Sequence, residues 1–406
     1  MPTLLQINVT ANAGSTGRIA EEIGLKAIAS GWDSYIAYGR NERPSVSKLI
    51  RVGNDMDVKL HGIQTRLFDR HGLGSKKATI EFIKKTETIK PDIIHLHNIH
   101  GYYINYPVLF SFLQKIKTPI VWTLHDCWSI TGHCSHFTYI KCEKWKTQCH
   151  SCPQKSSYPA SYLLDRSKKN YILKKKLFNS VSNLTLIPVS NWLSDILKES
   201  FLQNYPIKVI NNGIDTKVFK PYKNSDFRDK YNLKNKFIIM GVATAWSEGK
   251  GISDYIALSK VISYDCKIVL VGLKQNQMND VPDNIIKLPL TTNQKQLAEL
   301  YSMADVVISL SRGESFGLTI VEGFACGTPG IVYNNTAQPE LITLDTGYVV
   351  ENDNIDDVAN AINKIKNNGK KFYSNACRNR AIQYYNKDDR FEDYISLYNE
   401  ILYKTK

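Results

Sequence analysis

Apolar residues in this 406-residue chain gather into short runs, most of them followed by a polar turn and then by a stretch where they recur every three or four positions. A run of four to six aliphatic residues reads as a buried strand, and the longer period reads as an amphipathic helix packed beside it. In the first half the runs are Leu4–Val9, Ser34–Tyr38, the segment 91–97, Ile120–Leu124 and Leu184–Val189, with a further short run at Ile207–Ile210. In the second half they are Phe237–Val242, Ile268–Val271 and Val306–Leu310. After the first run, Ile19, Ala20, Ile23, Ala27 and Ile28 form the inward stripe of a helix that Gly31 ends. Ser190-Asn191-Trp192 is placed to cap a helix after the run Leu184–Val189. The alternation predicts an α/β fold of two doubly wound domains.

Composition narrows the setting. No apolar run nears the roughly 20 residues that span a bilayer. The opening MPTLLQINVT is strand-like and lacks the basic start of a secretory leader, so the chain is expected in the cytoplasm. Eight cysteines in that setting do not make a disulfide framework, and five of them fall between Cys127 and Cys152. A formal charge of +14 selects anionic partners: nucleic acid, a membrane surface or an anionic small molecule. All nine histidines lie between His61 and His150, which confines histidine chemistry to the first half.

The run at 306–310 leads directly into RGESFGLTIVEGFACGTPG, residues 312–330. A strand, a glycine-bearing turn and a new helix make one construction, and the helix start offers backbone N–H groups and a positive dipole end suited to a diphosphate. Glu314 precedes the helix and can accept hydrogen bonds from sugar hydroxyls. Glu322, a little over one turn inside, can take two ribose hydroxyls, since a carboxylate is an acceptor-only fork. Arg312, Phe316, Gly317 and Leu318 complete this candidate donor site. Two solvated glutamates on an amphipathic helix are the plainer reading, which the strand, Phe-Gly and Cys-Gly-Thr-Pro context weakens.

Other candidates are weaker. Gly14 and Gly17 in the first turn permit close backbone approach to an anion, and Arg18 adds a cation, but an ordinary strand-to-helix turn reads the same. The loop lacks G-x-G-x-x-G, which disfavours a dinucleotide site. Asp55-Met56-Asp57 matches a D-x-D metal motif without the strand that should precede it. His125-Asp126 ends a strand, where open α/β sheets place ligands; His95 and His97 are lesser candidates on the same face.

E-x7-E at Glu314 and Glu322, together with Asn212-Gly213-Ile214-Asp215 followed by Phe219 and Pro221, resembles the retaining glycosyltransferases of the family 4 type. The resemblance spans nearly the whole chain and implies the GT-B arrangement: two Rossmann-like domains facing a cleft. Residues 1–205 would form the acceptor side, 206–385 the nucleotide-sugar side, and 386–406 a helix returning to the first domain. It implies a hexosyltransferase that moves a sugar from a nucleoside diphosphate-sugar to a hydroxyl with retention, by front-face displacement and without a catalytic metal. His125 would sit beside the donor sugar and Lys250 would grip the diphosphate, making His125, Glu314 and Lys250 the catalytic set. Family members carry an arginine shortly before Lys250-Gly251; here Thr244 and Ala245 stand there, so Arg312 or Arg18 would have to replace it. By analogy the acceptor is a lipid-linked glycan of capsule or O-antigen assembly, reached at the inner face of the cell membrane. A same-fold sugar-nucleotide epimerase and a basic nucleic-acid-binding protein are the rivals. The glutamate motif speaks against both, so nucleic acid is not an expected partner.

Two segments remain. Cys134, Cys142, Cys149 and Cys152 give C-x7-C-x6-C-x2-C with His133, His136 and His150 interspersed, which fits a structural zinc or a loop of free thiols. Residues 166–178 form a basic helix interleaved with Tyr171, Ile172, Leu173, Leu177 and Phe178, which fits an anionic membrane face or a solvated one.

Overall fold

The structure, a computed structural model, describes residues 1–223 and 227–405. It divides into two compact units, Met1–Asn211 with Asp388–Lys406, and Asn212–Lys387. In the first, β1 (Thr3–Asn8), β2 (Asp33–Tyr38), β3 (Lys48–Arg51), β4 (Ile93–Leu96), β5 (Ile120–Leu124) and β6 (Leu184–Pro188) pair in the order β3-β2-β1-β4-β5-β6. In the second, β7 (Phe237–Val242), β8 (Cys266–Val271), β9 (Ile286–Leu288), β10 (Val306–Ser309), β11 (Gly330–Tyr333) and β12 (Gly347–Val350) pair in the order β12-β11-β10-β7-β8-β9. Every pairing is parallel. Helices cover both faces of such sheets, which is why the central strands are apolar without alternation. Counted within its own unit, each sheet has the same doubly wound order. The winding reverses between β1 and β4, and again between β7 and β10. Ligands of such sheets bind outside the carboxyl ends of these strands.

The predicted strands are present with shifts of one or two residues, and the short run Ile207–Ile210 after them forms no strand. That segment lies beside β6, with Lys208 and Ile210 donating to the carbonyls of Leu186 and Pro188 at 3.0 and 3.2 Å, but makes only one bridge, Leu186↔Ile207. Pro188 has no N–H to return, so a ladder cannot continue there. Ile28 is also not part of the inward stripe: it is 39% exposed, and Glu21 and Gly24 take inward positions instead. Asp55-Met56-Asp57 opens the helix Asp55–Phe68, where Asn54 and Asp57 exchange reciprocal 3.0 Å cap hydrogen bonds. These carboxylates serve a helix start.

Helix Ser167–Phe178 turns Tyr171, Lys174 and Phe178 inward. Its outward face carries Lys168, Lys169, Ile172, Lys175 and Lys176, so the aromatic half of the expected membrane face is spent on the core. The last helix, Lys387–Thr405, buries Phe391, Tyr394, Ile395, Leu397 and Tyr398 against Leu4, Ile93, Val121 and Ile187 of the first sheet. The two segments that connect the units run side by side: Ile214 N donates to Tyr385 O at 2.8 Å, and Lys387 N to Ile214 O at 2.9 Å. Lys387 Nζ pairs with Asp215 at 2.9 Å. Among the described residues no helix is long and apolar enough to cross a membrane.

Candidate active site

In the second unit, the turns after β7 and β10 are stitched together. Arg312 N donates to Gly249 O at 2.9 Å and Ser311 Oγ donates to the same carbonyl at 3.1 Å. Gly251 has φ +75°, and a Cβ there would lie 2.2 Å from Leu310 O, so only glycine allows this approach. The approach brings Lys250 to Glu314, whose carboxylate accepts from Lys250 Nζ. Glu314 is held in turn by its backbone: its N–H donates to Thr336 Oγ1 at 3.1 Å and its carbonyl accepts from Ala337 N at 3.2 Å. Phe316 is buried against Tyr385, with ring centroids 5.6 Å apart. Gly317, in the left-handed region, caps the helix Leu318–Ala325. One turn in, Glu322 is buried and accepts from Tyr301 Oη at 3.0 Å. Lys250, Glu314, the helix start and Glu322 therefore stand together at the switch point of this sheet.

Arg312 is differently placed from the expectation that it might serve a diphosphate. Its Nη2 pairs with Asp254 and Asp353, each at 2.8 Å, and its Nη1 donates to Glu248 O at 2.8 Å. Two carboxylates already neutralise this guanidinium, so it braces the turn. In the first unit, Gly14 opens the helix Gly14–Ala29 at φ +65° and is exposed, and Arg18 donates from Nε to Gly14 O at 3.2 Å. Gly17 is a packing glycine: a Cβ there would meet Thr10 Oγ1 at 2.5 Å.

His125 and Asp126 follow β5 at the end of the first sheet, and His97 and His100 follow β4 beside them. Gln6 Nε2 donates to Ala20 O at 2.7 Å, which leaves Oε1 as the acceptor facing His97 Nε2 at 3.0 Å. His97 Nε2 must carry the proton. Burial pushes the His97 pKa well below the ordinary value, so the ring is neutral and its Nδ1 is bare. His125 Nε2, 3.2 Å away, is then the donor, and Nδ1 is the unprotonated nitrogen of His125. Burial also lowers His125, to about 4, against the pull of Asp126. Burial alone would raise the Asp126 carboxyl, but the charge and the 2.9 Å hydrogen bond of His100 bring it down to about 2. The site thus presents a neutral imidazole of fixed tautomer beside a carboxylate. In ¹⁵N-histidine-labelled protein the His125 ring shifts should report the Nε2–H form. Gln6→Leu, by freeing His97 to reverse, should convert the signal to a tautomer mixture; an unchanged signal would mean that Gln6 does not set it.

Gln6, His100 and Tyr301 were not among the predicted site residues. Gln6 left one signal, a polar residue in the middle of the apolar run Leu4–Ile7. His95 was a candidate, but it lies wholly within the interior, between Tyr398 Oη at 2.6 Å and Thr123 Oγ1 at 2.8 Å.

Known proteins are similar to this chain in sequence and in fold. The family described as Glycosyltransferase Family 4 matches residues 18–218, and that described as Glycosyl transferases group 1 matches residues 223–384. WcaC of Escherichia coli (strain K12), assigned to glycosyl transfer in colanic acid biosynthesis, is 25% identical over 366 residues, 87% of this chain and 88% of that protein. An Escherichia coli UDP-Gal:alpha-D-GlcNAc-diphosphoundecaprenol alpha-1,3-galactosyltransferase is 27% identical over 246 residues, 56% of this chain and 63% of that one. Among solved structures, sucrose-phosphate synthase from Thermosynechococcus elongatus superposes with a TM-score of 0.75 at 18% identity, covering 100% of both chains. Anabaena Alr3699/HepE in complex with UDP does so with a TM-score of 0.69 at 16% identity, covering 98% of this chain and 100% of that one. At these identities the structures establish the fold.

Proposed function

We propose a particular transfer reaction on one premise: this chain belongs to the family 4-type glycosyltransferases and has their GT-B fold. A sugar moves from a nucleoside diphosphate-sugar to a hydroxyl of a lipid-linked glycan, with the anomeric configuration retained. The observation that carries this reading is the convergence of Lys250, Glu314, the Gly317–Leu318 helix start and Glu322 at the switch point between β7 and β10. Lys250 and the first-turn N–H groups stabilise the charge that develops on the departing diphosphate. A diphosphate entering there shares or replaces Glu314 as the partner of Lys250, which frees the Glu314 carboxylate for sugar hydroxyls. Glu322, oriented by Tyr301, accepts from the ribose. His125, neutral and of fixed tautomer, contacts the transferred sugar as a hydrogen-bonding group. The departing phosphate takes the acceptor proton. In this scheme a fixed lysine and backbone donors fill the role of a divalent ion, and the only D-x-D, Asp55-Met56-Asp57, is engaged in a helix cap.

One relative is named for a UDP-galactose donor and a diphosphoundecaprenol acceptor, two are named as GDP-mannose-dependent, and the solved HepE complexes hold UDP and UDP-glucose; a UDP-sugar and a polyprenyl diphosphate-linked acceptor are the pair taken here. A membrane-bound acceptor requires a membrane face, and the structure offers a better one than helix Ser167–Phe178. Helix Asp55–Phe68 exposes Met56, Leu60, Ile63 and Phe68 beside Lys59, Arg66 and Arg70. Exposed Tyr162 and Leu163 extend it, since Tyr162 N donates to Arg66 O at 2.7 Å. Apolar and basic side chains on one surface suit an anionic bilayer. Flotation with anionic vesicles should recover the protein, and Leu60→Glu with Leu163→Glu should abolish recovery; equal recovery would place the contact elsewhere. The reaction itself is tested with a panel of nucleoside diphosphate-sugars, scored by thermal shift and by slow donor hydrolysis. A UDP-sugar should raise the transition temperature and release its nucleotide; no response to any donor would overturn the reading.

A further inference from the structure

The cysteine-rich loop supplies a site that sugar transfer does not use. Cys134, Cys142, Cys149 and Cys152 are all free thiols, and all four line one cavity together with His133. We propose that this cavity is a structural site for a thiophilic divalent ion of the zinc class, ligated by four of these five side chains.

The strongest support is the histidine. His133 is 2% exposed, and its Nδ1 lies 2.6 Å from Asp69 Oδ1. Asp69 is itself fully buried, and its other oxygen accepts from Arg166 N at 2.7 Å, so the carboxylate is fixed and acceptor-only on the His133 side. The proton of a neutral imidazole therefore sits on Nδ1, and Nε2 carries the lone pair. That nitrogen is buried with no hydrogen-bond partner. A buried polar atom left bare costs about 1–3 kcal/mol, and an imidazole oriented by a carboxylate with its second nitrogen bare is the arrangement of a metal ligand. The thiols supply the rest of a tetrahedral N/S set.

The frame around the cavity is already built. Phe137 and Trp145 stack at 4.9 Å and are both buried, so aromatic packing orders part of this loop. Lys144 Nζ donates to the carbonyls of His150 and Ser151 at 3.0 and 3.1 Å, and Cys152 N donates to Asp165 at 2.6 Å. Among the described residues no three His, Cys, Asp or Glu groups already stand in place to hold an ion. Binding therefore turns the thiols inward about their Cα–Cβ bonds and releases their protons. Lys174, buried, donates to the carbonyls of Trp128 and Thr131 at 2.6 and 3.0 Å and so fixes the Thr131 part of the cavity wall. The same loop reaches the active face, because Trp128 N donates to Asp126 and Cys127 N to Ser135 O, both at 2.9 Å. The ion would clip the segment that carries Asp126.

The full chain, purified reduced and without chelator, should contain about one zinc by elemental analysis. Replacing it with cobalt(II) should give the visible thiolate-to-metal charge-transfer absorption of a tetrahedral sulfur site. Cys134→Ser and Cys152→Ser should lose the ion, whereas Cys266→Ser, a buried thiol in the other unit, should keep it. Should the loop variants fail to fold, the cobalt spectrum of the unaltered chain decides alone. No metal in the preparation together with no cobalt uptake by the reduced protein would overturn the proposal, and so would a Cys134–Cys152 disulfide that persists without reductant. Neither result bears on donor binding, so this inference and the transferase reading fail separately.

Discussion

Glu314→Gln should lower turnover by roughly two to three orders of magnitude, the range seen when a positioned group that meets developing charge is removed. Glu322→Gln should leave turnover closer to normal and raise KM for the donor roughly 10- to 100-fold, from the loss of about 1.5–3 kcal/mol of charge-assisted hydrogen bonding. The two differ because ribose contacts are equal in ground and transition states, whereas contacts at the reacting sugar tighten as it moves. Tyr301→Phe should resemble a mild Glu322 change, since it removes the 3.0 Å hydrogen bond that orients that carboxylate. Lys250→Ala should act on turnover, and in combination with Glu314→Gln the losses should fall well short of additive because the two side chains are paired. Thr244 and Ala245 are both exposed, so an arginine at either position is accommodated and should partly rescue Lys250→Ala. Steady-state kinetics on the folded variants checks all of these. Glu314→Gln with unaltered turnover would remove Glu314 from the chemistry, and strictly additive losses for the pair would mean that Glu314 and Lys250 act independently.

Much of this was legible because doubly wound folds repeat one physical unit. A buried strand, a turn and an amphipathic helix each leave a periodic signature, and Val306–Leu310 running into the Gly317 turn shows all three. What escaped depends on partners distant in sequence. Glu322 was readable, but Tyr301, 21 residues earlier, was not marked as its hydrogen-bond donor. Arg312 looked available to an anion until Asp254 and Asp353 were seen to hold it, from 58 and 41 residues away. The edge strand β3, Lys48–Arg51, has no apolar run because its residues are exposed or half-buried, so no periodicity marks it. Helix Ser167–Phe178 misled for the opposite reason. Its lysines suggested a solvated or membrane face, yet Lys174 lies inside over the Trp128 ring, 3.4 Å from its centroid.

Acidification should unfold the first unit well before the second, with most of the loss between pH 6.5 and about 4. Burial holds His61 and His125 down to about 4 and lowers His71, His95 and His97 well below the ordinary value. The contacts explain why these rings resist a second proton. His61 Nε2 accepts from Gly72 N and Gly74 N at 3.0 and 3.2 Å, and His71 Nε2 accepts from Gly101 N at 3.1 Å. Protonation of either nitrogen breaks those hydrogen bonds. The native state thus binds fewer protons than the unfolded chain below pH 6.5, so stability is full above that value and falls as pH drops. Each such histidine costs about 1.4 kcal/mol per pH unit. Five of them at pH 5 therefore cost at most about 10 kcal/mol, comparable with the whole stability of a domain. His133 works the other way: burial lowers its pKa, but the Asp69 hydrogen bond outweighs that and raises it, so its contribution is full below 6.5 and fades as pH rises. It offsets part of that cost. Asn212–Lys387 contains no histidine and should keep its transition temperature over the same range. Calorimetry at pH 7.5, 6 and 5 should show one transition moving down and separating from another that stays. His61→Gln, whose amide oxygen can accept from the same backbone N–H groups, should flatten the shift by about one proton's worth. A first-unit transition that holds its temperature from pH 7.5 to 5 would mean that these rings already carry their protons in the native state.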